Sequence, residues 1–185
     1  DIVTLKEVKN NKGANSIKAG SGALGGSVSF ETKDARDFLT EKNYHFSYKR
    51  GYNSVNQQNL NTLTTAGRYK WFDFLVVHTD RQSNETQNYG YHHYDGNIQG
   101  KTREKADPYR YKLKSTLLKL SFQPTENHRL TLAADLYDNT SKGHDFSYNL
   151  NSSNLIQNCS ETEGHCAEKA LRHTNDRIKR NNYSI

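Results

Sequence analysis

HRLTLAADLY (residues 128–137) sets Leu130, Leu132, Ala134 and Leu136 on one side of an extended chain and Thr131, Ala133, Asp135 and Tyr137 on the other. Alternation with period two is the signature of a strand with one apolar face. The stretch before it, KSTLLKLSFQP (114–124), repeats the pattern. Thr116, Leu118, Leu120 and Phe122 oppose Ser115, Lys119 and Ser121, and only Leu117 breaks the alternation. Between the two, Pro124–His128 has the composition of a tight turn. The pair predicts two antiparallel strands.

Further upstream, NYHFSYKRGY (43–52) places Tyr44, Phe46, Tyr48 and Tyr52 opposite His45, Ser47, Lys49 and Gly51. LNTLTTAGRY (60–69) and WFDFLVVHTDR (71–81) flank Lys70. Their alternation is muddier, the second being apolar on both sides near its start, but Thr, β-branched and aromatic residues favour strands over helices. The connections are short around Asn53–Asn59, very short at Gly67–Lys70, long over 84–109, very short at Pro124–Asn127 and long again over 142–175. Such a meander has one smooth end and one loop-rich end, the layout of a transmembrane β-barrel. Predicted strands of about 9–11 residues match a tilted crossing of a bilayer. A soluble β-sandwich has the same periodicity. Lys49, Lys119, Asp135 and Asn139, opposite the apolar faces, suit either a wet lumen or a water-facing surface, and loop asymmetry favours the membrane reading.

Composition agrees. The 185 residues make one domain of ordinary size, only 32% hydrophobic, with a mean hydropathy of −1.02. Yet 12 Tyr and 7 Phe are too many aromatics for a disordered chain. No apolar run is long enough for a transmembrane helix, and no signal peptide is visible. Without any Met, the chain is expected to be an interior piece of a longer protein. The net charge of +6 is scattered among 20 acids, a solvated mixed surface with no dense patch for nucleic acid. No nucleophile–base or carboxylate pair stands out, so no catalytic residue and no enzymatic activity are assigned. Cys159 and Cys166, in NCSETEGHC, suit a short cystine loop of an oxidising compartment. Free thiols, or a partial metal site with His165, are the alternatives, and the spacing lacks the two ligand pairs of zinc modules.

Residues 20–25 spell Gly20-x-Gly22-x-x-Gly25, the letters of a dinucleotide-binding turn. That motif needs a strand before it and a helix after it. Here SVSFETK follows, with Val28 and Phe30 alternating with Ser27, Ser29 and Glu31, which predicts a strand. VTLKEVK (3–9) is also strand-like, but NNKGANSIKAG intervenes. Neither a βαβ unit nor a phosphate-binding loop fits.

VKNNKGANSIKAGSGALGGSVSFETKDARDFL (8–39) closely resembles the end of the plug domain in TonB-dependent outer-membrane receptors. REKADPYR (103–110), PTENHRLT (124–131) and KGHDFSYNL (142–150) resemble the haemoglobin and haemoglobin–haptoglobin receptors of Gram-negative bacteria, with transferrin receptors the next nearest. The resemblance implies a mostly β fold, a fragment of a transmembrane antiparallel β-barrel preceded by the C-terminal part of a plug domain. In that family the plug fills a barrel of about 22 strands. Residues 1–40 would end the plug, with Gly20, Gly22, Gly25 and Gly26 structural, giving close backbone approach. Residues 41–185 would supply five barrel strands and enter a sixth near Arg177–Ile185. The loops 84–109 and 142–175 would lie outside the cell.

The function so implied is an outer-membrane receptor that binds haemoglobin or haemoglobin–haptoglobin and imports haem with energy from TonB, which would engage a region absent from this chain. Haem would be a transported ligand rather than a bound cofactor. A transferrin-type iron receptor and a non-transporting β-rich surface adhesin are the alternatives. Tyr89, Tyr91, Tyr94 and Tyr109 offer aromatic anchors with polar tips, and Lys101, Arg103 and Lys105 suit acidic patches. His92 and His93 have the chemistry to ligate haem iron, although adjacent loop histidines are more often simply exposed. Tyr148, beside the cysteine loop, is a weaker contact, and HCAEKALRH (165–173) would form a short exposed helix. No resident metal site is assigned.

Overall fold

The computed structural model describes residues 2–12, 26–86, 106–145 and 172–185. Two antiparallel sheets form. In the smaller, β1 (Leu5–Lys12) pairs with β2 (Gly26–Thr32), so a strand rather than a helix follows the glycines. Gly26 opens β2 opposite Lys12, whereas Gly20, Gly22 and Gly25 lie outside the described residues. The larger sheet is a six-stranded meander of β3 (Tyr44–Asn53), β4 (Gln58–Tyr69), β5 (Phe72–Asn84), β6 (Tyr109–Thr125), β7 (His128–Asp145) and β8 (Arg172–Ser184). Each strand pairs with its sequence neighbours, as a barrel fragment requires. Lys70-Trp71 and Glu126-Asn127 make the tight turns, Lys70 with a positive φ of 53°.

Three boundaries differ from expectation. β6 and β7 run 17 and 18 residues, past the length of a bare membrane crossing, because their ladder continues up to Tyr109↔Gly143. Tyr109, expected in a loop, therefore begins a strand. Lys142–Asp145 likewise belong to β7. β8 starts at Arg172 rather than Arg177, so Arg172 and His173 are extended rather than helical; residues 165–171 of the expected helix lie outside the described residues.

Side chains of directly paired residues share a face. On the outward face four successive rows across the sheet carry no charge. These are the rows through Tyr69, Phe72, Phe122 and Leu130; through Tyr44, Gly67, Phe74, Leu120 and Leu132; through Phe46, Thr65, Val76, Leu118 and Ala134; and through Tyr48, Leu63, His78, Thr116 and Leu136. His78, the one titratable side chain of β5 in these rows, has its Nδ1 2.8 Å from the Thr116 hydroxyl. The aromatics and leucines here are mostly exposed, Tyr44 at 71% and Leu130 at 52%. Gly67 is needed in this band because a Cβ would stand 2.4 Å from the Phe74 ring, which lies over the glycine.

The lower part of the inward face is largely polar around one buried apolar patch. Ala66, Leu75, Val77 and Leu117 are buried there with Ala35 and Leu39 of the N-terminal segment, and Val3 and Phe38 pack against them. Leu117 thus breaks the alternation of β6 because it points into this cluster. Leu75 and Val77 account for the two-sided apolarity of β5. Burying each such side chain contributes about 1.5–3 kcal/mol.

Polar contacts fix the same segment in place. Arg129, at the start of β7, donates Nη1 to Asp73 Oδ2 at 2.9 Å and Nη2 to Asp73 Oδ1 at 3.1 Å, to Asp34 Oδ1 at 2.8 Å and to Ser121 Oγ at 2.9 Å. Lys119 Nζ donates to the Thr32 carbonyl at 3.1 Å, and the Lys33 amide to Thr4 O at 2.9 Å. Lys6 pairs with Asp37 at 2.9 Å. Burial opposes ionisation of Asp37, but hydrogen bonds from the Asp34 amide and Lys6 outweigh it and hold the carboxyl below the usual carboxylate range. A carboxyl depressed on folding stabilises the fold above its ordinary pKa and ceases to do so as the pH falls through its folded value.

Arg129→Ala leaves Asp73, whose side chain is only 6% exposed, without its counter-ion. The loss is expected to be roughly 3–5 kcal/mol, read as a lower thermal unfolding midpoint. Lys9→Ala removes exposed pairs with Glu7 and Glu31 and should leave the midpoint nearly unchanged. A shift no larger for Arg129→Ala than for Lys9→Ala would show that the cluster does not hold the segment.

Candidate ligand-binding rim

Opposite the tight turns, the sheet ends in three connections, residues 54–57, 85–108 and 146–171. Most residues singled out as ligand contacts belong to the two long ones. Tyr89, Tyr91, His92, His93, Tyr94, Lys101 and Arg103, and also Tyr148, Cys159 and Cys166, lie outside the described residues. Tyr109 is described, and it shows how the base of the 85–108 connection is built.

Alternation continues through RYKLK at the head of β6, with its chemistry inverted. Tyr109, Tyr111 and Leu113 face inward, while Arg110, Lys112 and Lys114 face outward. Tyr109 and Tyr111 stack with ring centroids 5.8 Å apart and planes 17° from parallel. The Tyr109 amide donates to Glu85 Oε2 at 3.1 Å, which joins the two ends of the connection. Across β7, the His144 amide donates to Pro108 O at 3.1 Å. Gly143 permits that approach, since a Cβ there would lie 2.4 Å from the Pro108 carbonyl oxygen and 2.6 Å from the Tyr109 ring. A groove of about 410 Å³ results, lined by Glu85, Pro108, Tyr109, Arg110, Lys142 and His144 among others.

The neighbouring connections are tied to the same rim. Asn84 donates its amide to Asn56 O at 2.9 Å and its Nδ2 to Gln57 Oε1 at 2.8 Å, fixing the short 54–57 turn against the end of β5. Arg180 of β8 lies over the Tyr137 ring at 5.2 Å on the inward face. On the outward face His144 and His173 meet edge to face at 4.4 Å. Among the described residues no group of three His, Cys, Asp or Glu side chains converges to hold a metal ion. Rigid aromatics with hydroxyl tips, flanked by charges of both signs, suit recognition of a protein surface. Sequence reasoning missed Glu85, Gly143 and His144. The cue was the continuing alternation of 109–114, masked because it is aromatic on one side and cationic on the other.

No family model matches the chain. It is 59% identical over all 185 residues to the "Hemoglobin and hemoglobin-haptoglobin-binding protein A" of Haemophilus influenzae, and covers 16% of that protein. It is 58% identical over its whole length to the "Hemoglobin-binding protein A" of the same species, and 49% identical to the "Hemoglobin and hemoglobin-haptoglobin-binding protein" of Haemophilus ducreyi, covering 18% of each. These relatives are named for binding rather than for catalysis. The chain spans less than a fifth of their length. End to end, it is homologous to one segment of the haemoglobin- and haemoglobin–haptoglobin-binding proteins.

Proposed function

We propose that this chain is part of an outer-membrane receptor that binds haemoglobin or its haptoglobin complex and imports the haem with energy from TonB. The observation that carries the membrane part is the charge-free outward band, in a chain where 25% of residues are charged. From Phe72 to His78 the band covers six residue steps, roughly 20 Å along a strand, which at the tilt of barrel strands spans more than half of the apolar height of an outer-membrane barrel. The polar inward face, against which residues 33–39 dock, suits a lumen closed by the end of a plug. On this reading residues 1–40 finish the plug and the six strands begin the barrel wall.

The haemoglobin part rests on the names of the full-length relatives and on the chemistry of the rim. The 85–108 connection carries the main contacts, with Tyr89, Tyr91, Tyr94 and Tyr109 as anchors, Lys101 and Arg103 as charge contacts, and His92 and His93 available to haem. Tyr148 is a weaker contact, and Cys159 and Cys166 form a disulfide in the 146–171 connection.

Replacing Tyr89, Tyr91 and Tyr94 together by Ser in the complete receptor should weaken haemoglobin binding at least tenfold, as loss of hot-spot aromatics does, while heat-modifiable gel mobility stays native. Unchanged binding would remove this loop from the site, and transferrin binding in place of haemoglobin would favour the other receptor class. Haemoglobin binding without TonB-dependent growth on haemoglobin iron would mark a surface adhesin. Gly143→Val should also weaken haemoglobin binding and increase proteolytic cleavage within 85–108, because the new side chain displaces Pro108 and Tyr109. Native binding and native cleavage in that variant would show that the loop base does not position the contacts.

A further inference from the structure

On the outward face the apolar rows stop abruptly. In the next row Arg50, Lys114 and Lys179 accompany Asp80 and Asp138; above it stand Lys112 and Arg177, and above these Arg110 and Lys142. Seven cations thus face two carboxylates. All seven cationic side chains are exposed. Asp138 is already engaged by Arg177, whose Nε donates to Oδ1 at 2.9 Å. Arg110 and Lys142 stand directly opposite each other across β6 and β7, and Lys112 lies on the same side of β6 between Arg110 and Lys114. Like charges so placed repel. In water the repulsion between such exposed groups is small, and anions seated among the side chains would turn it into attraction.

We propose that this belt binds the phosphate groups of lipids in the outer leaflet. The inference rests on the outer-membrane reading above and adds a lipid site to it. Three features favour lipid over a protein ligand. The belt is on the same face as the apolar rows, so it points sideways from the barrel wall. It begins one row above the last apolar row, about 7 Å along the strand, where headgroup phosphates stand when hydrocarbon meets the band below. The cations are spread over four strands as separate point charges, which suits a layer of phosphates better than a single docked surface. β6 and β7 have to extend beyond the apolar band to carry the belt, which accounts for their length. Each Lys or Arg near an anionic lipid surface adds to the attraction.

The test uses the complete receptor in nanodiscs of phosphatidylcholine containing a minor fraction of bisphosphorylated lipid A. Native protein is compared with a fourfold variant, Arg110→Gln, Lys112→Gln, Lys114→Gln and Lys142→Gln, by mass spectrometry of lipid retained after a delipidating wash. The native protein should retain roughly tenfold more lipid A than the variant, and a variant with Lys112, Lys114 and Lys142 all changed to Arg should retain as much as native. Equal retention by native and fourfold variant, or no enrichment of lipid A over phosphatidylcholine by the native protein, overturns the proposal. So does loss of haemoglobin binding in the fourfold variant with lipid A retention unchanged, which would assign the belt to a protein partner. Should the fourfold variant not fold, the native protein at about 1 M salt, where charges are screened beyond about 3 Å, must lose the enrichment while staying inserted; persistence overturns the proposal. Failure of the native protein to insert in this bilayer would overturn the membrane reading itself and the belt with it.

Discussion

One guanidinium, Arg129, joins three parts of the chain that are far apart in sequence. It grips Asp73 at the start of β5 with two hydrogen bonds, reaches Asp34 between β2 and the barrel-type sheet, and contacts Ser121 of β6. A carboxylate as buried as Asp73 would be strongly destabilising alone. Planar bidentate pairing makes it tolerable and leaves a further N–H to capture the incoming segment. That capture sets Ala35 and Leu39 over Leu75, Val77 and Leu117, so this apolar patch of the inward face is covered. The polar and apolar contacts are interdependent, because the burial of one keeps water away from the other.

With the inward face settled, the outward one is constrained from the other side. Its first four rows carry no charge, while its upper rows are dense in cations. Along β6 the inward face changes in the opposite sense, from Lys119 and Ser121 below to Leu113, Tyr111 and Tyr109 above. That strand therefore passes through two environments, and its two faces exchange character on the way. A lipid-exposed band would produce the lower half of that pattern. A charged exterior above a wet, aromatic-lined interior would produce the upper half.

This exchange explains what the sequence disclosed and what it did not. HRLTLAADLY and NYHFSYKRGY were legible because they lie in the lower half, where apolar and polar residues alternate as strand rules assume. RYKLK alternates just as strictly, but as aromatic against cation, and a scale that asks only for hydrophobicity ends the strand too soon. Leu117 looked like an error in the pattern because its reason, the Ala35–Leu39 segment, lies about 80 residues away in sequence. Arg129 stood inside a legible strand without a visible role, since nothing local identifies Asp34 and Asp73 as its partners. Strand order followed from connection lengths alone, whereas long-range contacts did not. At the rim, loop composition pointed to Tyr and His residues, but the groups that hold the loop base, Glu85, Gly143 and His144, carry no compositional cue.

The length of β6 and β7 bears on how a variable loop presents its contacts. Any ordering of a connection on binding subtracts from affinity. Here the ladder continues to Tyr109↔Gly143, the Tyr109 amide is held by Glu85 and the Pro108 carbonyl by His144. The base of the connection is thus fixed by the Glu85 carboxylate and by backbone groups of Pro108, Tyr109 and His144. A Cβ added at Gly143 would instead meet that base, at the Pro108 carbonyl and the Tyr109 ring.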